Sequence, residues 1–256
     1  MAEPMRYPKP GPFRVEMLRD GDPYELVDGH ALYCNPTGGD GGRAEAAGAR
    51  AVTTDPAVSE AGIDVGYSDS PRDLRAPDIA VGNVPDARGW VKGAPALAIE
   101  YAGEGQDEAA LARKIPDLFA LGTRYVWVVR LIGPRRVEVH EPGKVPVVFG
   151  SGTELLAPGI LKNPVPVEAL WDFDASDRVA LRNLLQRFGY QDLDAVRAEG
   201  RDEGRRDEAR TALLDLAEAV GLTVDEERTV SIRTLELPQL RSLRESIKRD
   251  RRWPAG

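Results

Sequence analysis

The arrangement of short apolar segments around one amphipathic segment constrains the fold of this chain most strongly. Six segments are short and rich in apolar or β-branched residues, as the strands of a sheet are: 76–81, 96–101, 125–129, 136–140, 147–149 and 153–156. Between the second and the third of them, Leu111, Ile115 and Leu118 recur at helical spacing within residues 107–121. Strands followed by one helix and then by further strands predict a mixed α/β sheet with the helix packed on one face.

The N-terminal third predicts a hairpin between less regular segments. Residues 24–33 consist of two short β-type runs around an Asp-Gly turn, which is a strong hairpin signal. Residues 35–42 contain four glycines in a polar context and predict a flexible loop. The Ala-rich segment 43–54 is compatible with a helix or a strand, and the alternation of polar and apolar residues at 61–67 predicts a strand.

The pattern changes near Ser176, where helical spacing replaces the short apolar runs. We therefore predict three parts, which are an N-terminal arm (1–22), an α/β domain (23–175) and a helical C-terminal tail (176–256). Within the tail, Gly200 and Gly204 each cost a helix about 1 kcal/mol relative to alanine. This stretch of the tail is therefore predicted to be a weak helix or a hinge, with two shorter helices near 224–234 and 238–248.

Composition restricts the setting and the mode of binding. The net charge of -8 argues against sequence-blind binding of nucleic acid by the whole surface, so binding would need a local basic groove or metal cations. No apolar run approaches the roughly 20 residues that cross a bilayer, which predicts no membrane association. A charged, Pro-containing N-terminus and a single cysteine predict a cytoplasmic protein without an internal disulfide.

Two carboxylates occupy unusual positions at the ends of apolar strands. Asp78 precedes the apolar run 79–81, and Glu100 ends the run 97–99. A carboxylate at the border of a buried strand is costly unless it is paired, hydrogen-bonded or bound to metal. A divalent cation between two such groups removes that cost, and Mg²⁺ accepts one or two carboxylates while keeping several waters. The alternative is that both are structural acids at strand ends.

Lys114 lies on the helical segment that follows the Glu100 strand, where it could fold back over the strand end. An ammonium at that position could orient an attacking water or stabilise the charge that develops on a phosphorus centre. The alternative for this residue alone is an ordinary surface lysine on an amphipathic helix.

Together these segments resemble the Uma-type family of restriction endonucleases, a branch of the PD-(D/E)XK nuclease superfamily. The resemblance covers roughly residues 13–170 and is carried by segments in a particular order: Tyr24 to Gly29, Pro77 to Val81, Ala96 to Glu100, Lys114, and Gly122 to Trp127. It implies a restriction-endonuclease-like fold, with a central mixed β-sheet flanked by helices. It also implies that the protein is a Mg²⁺- or Mn²⁺-dependent endonuclease acting on DNA, and it leaves a homodimer open.

Residue by residue, the resemblance implies that Asp78 and Glu100 are metal ligands and that Lys114 assists catalysis. Glu25 matches the Glu of a Tyr-Glu-Leu motif that can lie near the metal, and a structural role in the hairpin is equally open. The chain departs from the family in the loop 101–110 and in Pro116, which is expected to kink the helix two residues after Lys114 and so to change the direction of the Lys114 side chain. These departures favour an alternative function, a catalytically inactive module that contacts a protein partner through its helical tail.

Overall fold

The computed structural model describes residues 11–105 and 107–254, and the chain forms two compact units that divide between Phe188 and Gly189. The predicted boundary after residue 175 falls instead within a helix of the first unit that ends at Arg187. Residues 1–10 of the predicted N-terminal arm lie outside the described residues.

The first unit combines strands and helices. Its strands, in chain order, are β1 (Tyr24–Val27), β2 (His30–Tyr33), β3 (Ala61–Ile63), β4 (Tyr67–Ser70), β5 (Asp73–Arg75), β6 (Ile79–Val81), β7 (Leu97–Ala102), β8 (Tyr125–Arg130), β9 (Arg136–His140), β10 (Val147–Gly150), β11 (Glu154–Leu155) and β12 (Val165–Pro166). Its helices are α1 (Gly39–Thr53), α2 (Glu108–Leu121) and α3 (Phe173–Arg187).

The central sheet has six strands in the order β10-β9-β8-β7-β6-β3. Only β7 and β8 are parallel, because α2 connects them as a crossover, and the other neighbours are antiparallel. One face packs against α1 and α3 through a large cluster that includes Ile99 and Trp127. The other face packs against α2 through Ala98 and Val128. The predicted mixed α/β sheet with flanking helices is therefore confirmed.

Helix α2 forms as its sequence predicts. The carboxylate of Asp107 accepts hydrogen bonds from the first free amides of the helix, and Gly122 ends it in a left-handed conformation. Leu111 and Leu118 are buried on its inner side. The helix runs through Pro116 without ending, although a proline at that position lacks the amide that would close a helical hydrogen bond.

A second sheet, in the order β2-β1-β5-β4, lies beside the central one in the first unit. The hairpin β1–β2 is confirmed, and its turn residues Asp28 and Gly29 both have positive φ angles, 49° and 78°, as a tight hairpin turn requires. In β1 and β5, Leu26 pairs with Leu74 and both are buried.

Three expectations from the sequence are corrected. The glycine-rich segment 35–42 is a loop only at its start, since α1 begins at Gly39, and the Ala-rich segment 43–54 is helical. The segment 61–67 is not one strand, because β3 ends at Ile63 and Asp64 turns the chain with a φ of 53°. The segment 153–156 does not close the central sheet, because β11 pairs with β12 in a separate ribbon.

The second unit is helical, with α4 (Leu193–Ala219), α5 (Glu226–Thr234) and α6 (Leu237–Asp250). Its core is formed by Leu213, Ile232, Leu240 and Ile247. Helix α4 is continuous through both of its glycines, so the predicted hinge is not formed there. None of the helices in the described ranges is both long and apolar enough to span a membrane.

Candidate active site

A row of three carboxylates crosses one end of the central sheet. The register of β6 and β7 pairs Ile79 with Ile99, so one step further along the strands Asp78 lies opposite Glu100. The register of β3 and β6 pairs Ile63 with Ile79, and the same step sets Asp64 opposite Asp78. Directly opposed residues of antiparallel strands project to the same face, so three acids come together where the strands end.

The two predicted metal ligands are held differently. Oδ2 of Asp78 accepts a hydrogen bond of 2.5 Å from the backbone amide of Tyr101, which follows Glu100 in β7. Glu100 is buried on the face of the sheet that α2 covers. Burial raises the pKa of Glu100 to about 8, against the opposing effect of Lys114, and the charges of Asp78 and Glu25 add to the rise. Burial likewise raises the pKa of Asp78.

Lys114 faces this row from α2. Its ammonium lies 2.9 Å from either carboxylate oxygen of Glu100 and 2.8 Å from Oε1 of Glu25, and it donates a 2.7 Å hydrogen bond to the carbonyl of Ala76. Its side chain is 12% exposed. Burial by itself would lower the pKa of Lys114, but the carboxylates of Glu100, Glu25 and Asp78 outweigh it, so the pKa is raised and the ammonium stays charged. Pro116 has not turned Lys114 away from the strand ends.

Glu25 is bound by cations on both of its carboxylate oxygens. Oε1 faces Lys114 and accepts a 3.2 Å hydrogen bond from the amide of Ala76, while Oε2 accepts a 3.0 Å hydrogen bond from Arg75. The pKa of Glu25 is lowered, because the charges of Lys114 and Arg75 exceed the effect of its burial. Glu25 therefore contacts two cations at once, Lys114 through one carboxylate oxygen and Arg75 through the other.

Two further acids at this end of the sheet escaped the sequence analysis. Asp64 follows β3 directly, and the sequence had placed it in the middle of a strand. Glu45 is half-buried on α1, and burial together with the charges of Asp78 and Asp64 raises its pKa to about 7. Neither carboxylate has a hydrogen-bond or ion-pair partner within the described residues. For Asp64, the missed signal was the aspartate itself followed two residues later by Gly66, since aspartate and glycine are both common in turns.

The chemistry of the donors fits a hard divalent cation. Oδ1 of Asp78 has no partner within the described residues, and Oε1 of Glu100 is buried and accepts no hydrogen bond there, although the ammonium of Lys114 is near. Across residues 11–105 and 107–254, no three or more His, Cys, Asp or Glu side chains are arranged as a group that could hold a metal ion by themselves. Mg²⁺ does not require such a group, since it takes one or two carboxylates and completes its octahedron with waters and phosphate oxygens.

The structure thus brings together all four residues that the sequence singled out, Glu25, Asp78, Glu100 and Lys114. The site offers Oδ1 of Asp78 and the carboxylate of Asp64 for a cation, one buried ammonium for an anionic oxygen, and carboxylates with raised pKa that can exchange protons near neutral pH. Together these groups could bind a hard divalent cation and an anionic oxygen and exchange a proton.

Comparison with known proteins agrees with this geometry at the level of the fold. No protein-family model and no curated protein matches the sequence. Among solved structures, the chain is similar to the crystal structure of a putative nuclease belonging to DUF820 from Anabaena variabilis. The TM-score is 0.53 at 16% identity, over 63% of this chain and 95% of that chain. The chain therefore has a nuclease-like fold, in which a central mixed sheet is flanked by helices.

Proposed function

We propose that this protein is a metal-dependent endonuclease that hydrolyses phosphodiester bonds in DNA. One observation carries the proposal: on a nuclease-like fold, the Lys114 ammonium is held against a row of carboxylates in which Oδ1 of Asp78 and the carboxylate of Asp64 have no partner among the described residues. Asp78 and Glu100 would hold Mg²⁺ or Mn²⁺, as the resemblance to Uma-type nucleases implies. When bound, the metal supplies polarisation of the phosphodiester and activation of water.

The residues of the chain itself have complementary roles in this proposal. Lys114 remains protonated at neutral pH and places a positive charge where a non-bridging phosphate oxygen would gain negative charge. Glu45 has an unpaired carboxylate and a pKa near 7, which suits a group that accepts a proton from water. Asp64 is exposed and lies beside Asp78, where its carboxylate adds to the attraction for a cation.

Because of the net charge of the chain, the metal would be needed both for binding DNA and for cleaving it. At a net charge of -8 the protein as a whole repels a polyanion, so substrate binding would depend on local neutralisation at the row of carboxylates. Without a cation, that row would repel a phosphate group. With one bound, it would attract the phosphate, so DNA binding and cleavage should share the same metal dependence.

The test is cleavage of plasmid DNA, single-stranded DNA and RNA by the purified full chain with Mg²⁺ or Mn²⁺. Asp78→Asn is the informative variant, and Asp86→Asn is its matched control, since Asp86 is an exposed acid away from the strand ends. The proposal expects EDTA-sensitive cutting of DNA that Asp78→Asn abolishes and Asp86→Asn preserves. Equal activity in both variants, or cutting that EDTA leaves intact, would reject it, and cleavage of RNA alone would reject DNA as the substrate.

A second candidate is a non-catalytic module that keeps the fold. It is favoured by the complete pairing of Lys114, whose charge is already satisfied by Glu25, Glu100 and the Ala76 carbonyl without a metal. In this case the helical second unit would bind a protein partner or a second copy of the chain. A homodimer seen by light scattering, together with no metal uptake and no cleavage, would favour this candidate over the nuclease.

A further inference from the structure

We infer that Arg75 is a positioning residue for Lys114, acting through Glu25 and through the C-terminal half of α2. The inference rests on the proposed function, because it says that Arg75 keeps the Lys114 ammonium in contact with the carboxylate of Glu100. Nothing in the sequence pattern singles Arg75 out, since it ends a three-residue strand in a charged segment.

The first contact of Arg75 is with Glu25 across two strands. Since Leu26 pairs with Leu74 in β1 and β5, Glu25 and Arg75 lie directly opposite one another. Their side chains are 8% and 3% exposed, and Nη1 of Arg75 donates to Oε2 of Glu25 at 3.0 Å. A buried ion pair with this geometry is rigid, and removing one partner leaves a buried charge uncompensated.

The second contact of Arg75 is with α2 itself. Nε and Nη2 of Arg75 both donate to Oδ2 of Asp117, which lies three residues after Lys114 on the same helix and therefore on a neighbouring position of its surface. Pro116 stands between them and removes one backbone hydrogen bond from this turn. Arg75 links this turn to β5 through its contact with Asp117. The contact restricts the rotation of α2 about its axis and therefore the direction in which the Lys114 side chain points.

The charges add a second effect. Glu25 is shared between two cations, Arg75 on one oxygen and Lys114 on the other. If Arg75 were absent, Lys114 would be the only cation in contact with Glu25 and would be drawn toward it, away from Glu100. Arg75 therefore controls how the ammonium is divided between Glu25, which anchors it, and Glu100, which belongs to the row of carboxylates.

The experiment compares Arg75→Met with Arg130→Met in the full chain. Arg130 is a matched control, because it also ties α2 to the sheet, through Glu108 on the helix and Glu138 on β9, but it does not touch Glu25 or Lys114. Asp117→Asn is the second variant, since its side chain is 45% exposed and its replacement keeps the Arg75–Glu25 pair. The first readout is the ammonium signal of Lys114 in spectra of protein labelled with ¹⁵N-lysine, which contains six lysines.

A well-held ammonium exchanges slowly with water and gives a sharp signal, whereas a loosened one exchanges quickly. We expect Arg75→Met and Asp117→Asn to broaden or abolish the Lys114 signal, and Arg130→Met to leave it unchanged. In cleavage assays we expect kcat to fall on the order of 10- to 100-fold in the first two variants, with KM and Mn²⁺ affinity within about threefold of the wild type.

A Lys114 signal in Arg75→Met and Asp117→Asn that matches the one in Arg130→Met would overturn the inference, whatever their stability. If Arg75→Met does not fold, Asp117→Asn decides alone. The spectra do not depend on cleavage. A wild-type protein that cuts no nucleic acid would therefore reject the proposed function, while the signal of Lys114 would still decide whether Arg75 positions it.

Discussion

Asp78 lies opposite Glu100 across the antiparallel strands β6 and β7, and the backbone amide that Asp78 binds belongs to the residue after Glu100. Two carboxylates on directly opposed positions repel one another when both are ionised. Burial also raises the pKa of each of them. The ammonium of Lys114 offsets part of this repulsion. The end of the sheet is thus less stable than a neutral end would be, as is common where a protein has a binding site.

The first prediction concerns stability and pH in the absence of metal. The folded-state pKa of Glu100, about 8, exceeds its ordinary value, so the native state keeps a proton that the unfolded chain has released. Stability should therefore fall as pH rises from about 4.5 to 8, at roughly 1.4 kcal/mol for each pKa unit involved. Urea unfolding with EDTA at several pH values should show this fall, and Glu100→Gln should flatten it.

Glu45 has a pKa raised to about 7 and will leave a smaller slope in the Glu100→Gln protein. Glu154→Gln, at an exposed position on β11, serves as the control and should follow the wild-type curve. Parallel curves for Glu100→Gln and wild type would show that Glu100 does not hold a proton in the folded state.

The second prediction concerns metal binding and protons. The proposed Mn²⁺ site uses the ionised carboxylates of Glu100 and Asp78, whereas both have raised pKa values without metal. Binding should therefore release protons, and the apparent affinity for Mn²⁺ should increase between about pH 6 and 8. Calorimetric titrations in two buffers of different ionisation enthalpy measure the number of protons released. A binding enthalpy that is the same in both buffers would contradict the prediction, and Asp78→Asn should remove the binding itself.

Much of the fold was predictable because local signals and tertiary packing agree in it. The hairpin β1–β2 follows from its Asp-Gly turn, and α2 follows from the spacing of Leu111 and Leu118 between a good N-cap and a glycine stop. The start of α1 was not predictable from composition. Four glycines argue for a loop, but Gly41, one of them, is buried against Thr37 within the first turn of the helix.

The site was predictable where its chemistry is local and unpredictable where it depends on register. Asp78 and Glu100 were evident as acids beside apolar strands. Asp64 became part of the site only because β3 stops one residue before it, and Arg75 only because β1 and β5 pair at Leu26 and Leu74. Strand pairing joins residues 50 positions apart, such as Glu25 and Arg75, and no local pattern encodes it.

The third prediction concerns the cost of losing Lys114. Above pH 8, where Glu100 is also ionised, Lys114→Met leaves Glu25 and Glu100 without their shared cation in a buried place, which should destabilise the metal-free protein by about 3–5 kcal/mol. Lys144→Met is the control, because Lys144 pairs with Glu141 at a side chain that is 65% exposed and should cost at most about 1 kcal/mol. Urea unfolding of the two variants beside the wild type measures the difference. Equal costs would mean that the pair at the strand ends is solvated rather than buried.

The last prediction concerns the packing that supports the residue next to Glu100. The hydroxyl of Tyr101 passes over Gly48 of α1 and donates a 2.9 Å hydrogen bond to the carbonyl of Leu170. A Cβ atom at position 48 would lie 1.9 Å from that hydroxyl, so Gly48→Ala must displace Tyr101, and we expect a loss of about 1–3 kcal/mol in the free energy of unfolding.

The control is Gly42→Ala on the same helix. Its Cβ atom would meet nothing closer than 3.5 Å and, because it replaces a helical glycine, the change should be neutral or slightly stabilising. Because the amide of Tyr101 binds Asp78, Gly48→Ala should also weaken Mn²⁺ binding, while Gly42→Ala should not. Thermal unfolding and a Mn²⁺ titration of both variants test this coupling, and a Gly48→Ala protein with wild-type stability and affinity would show that Tyr101 does not transmit the change.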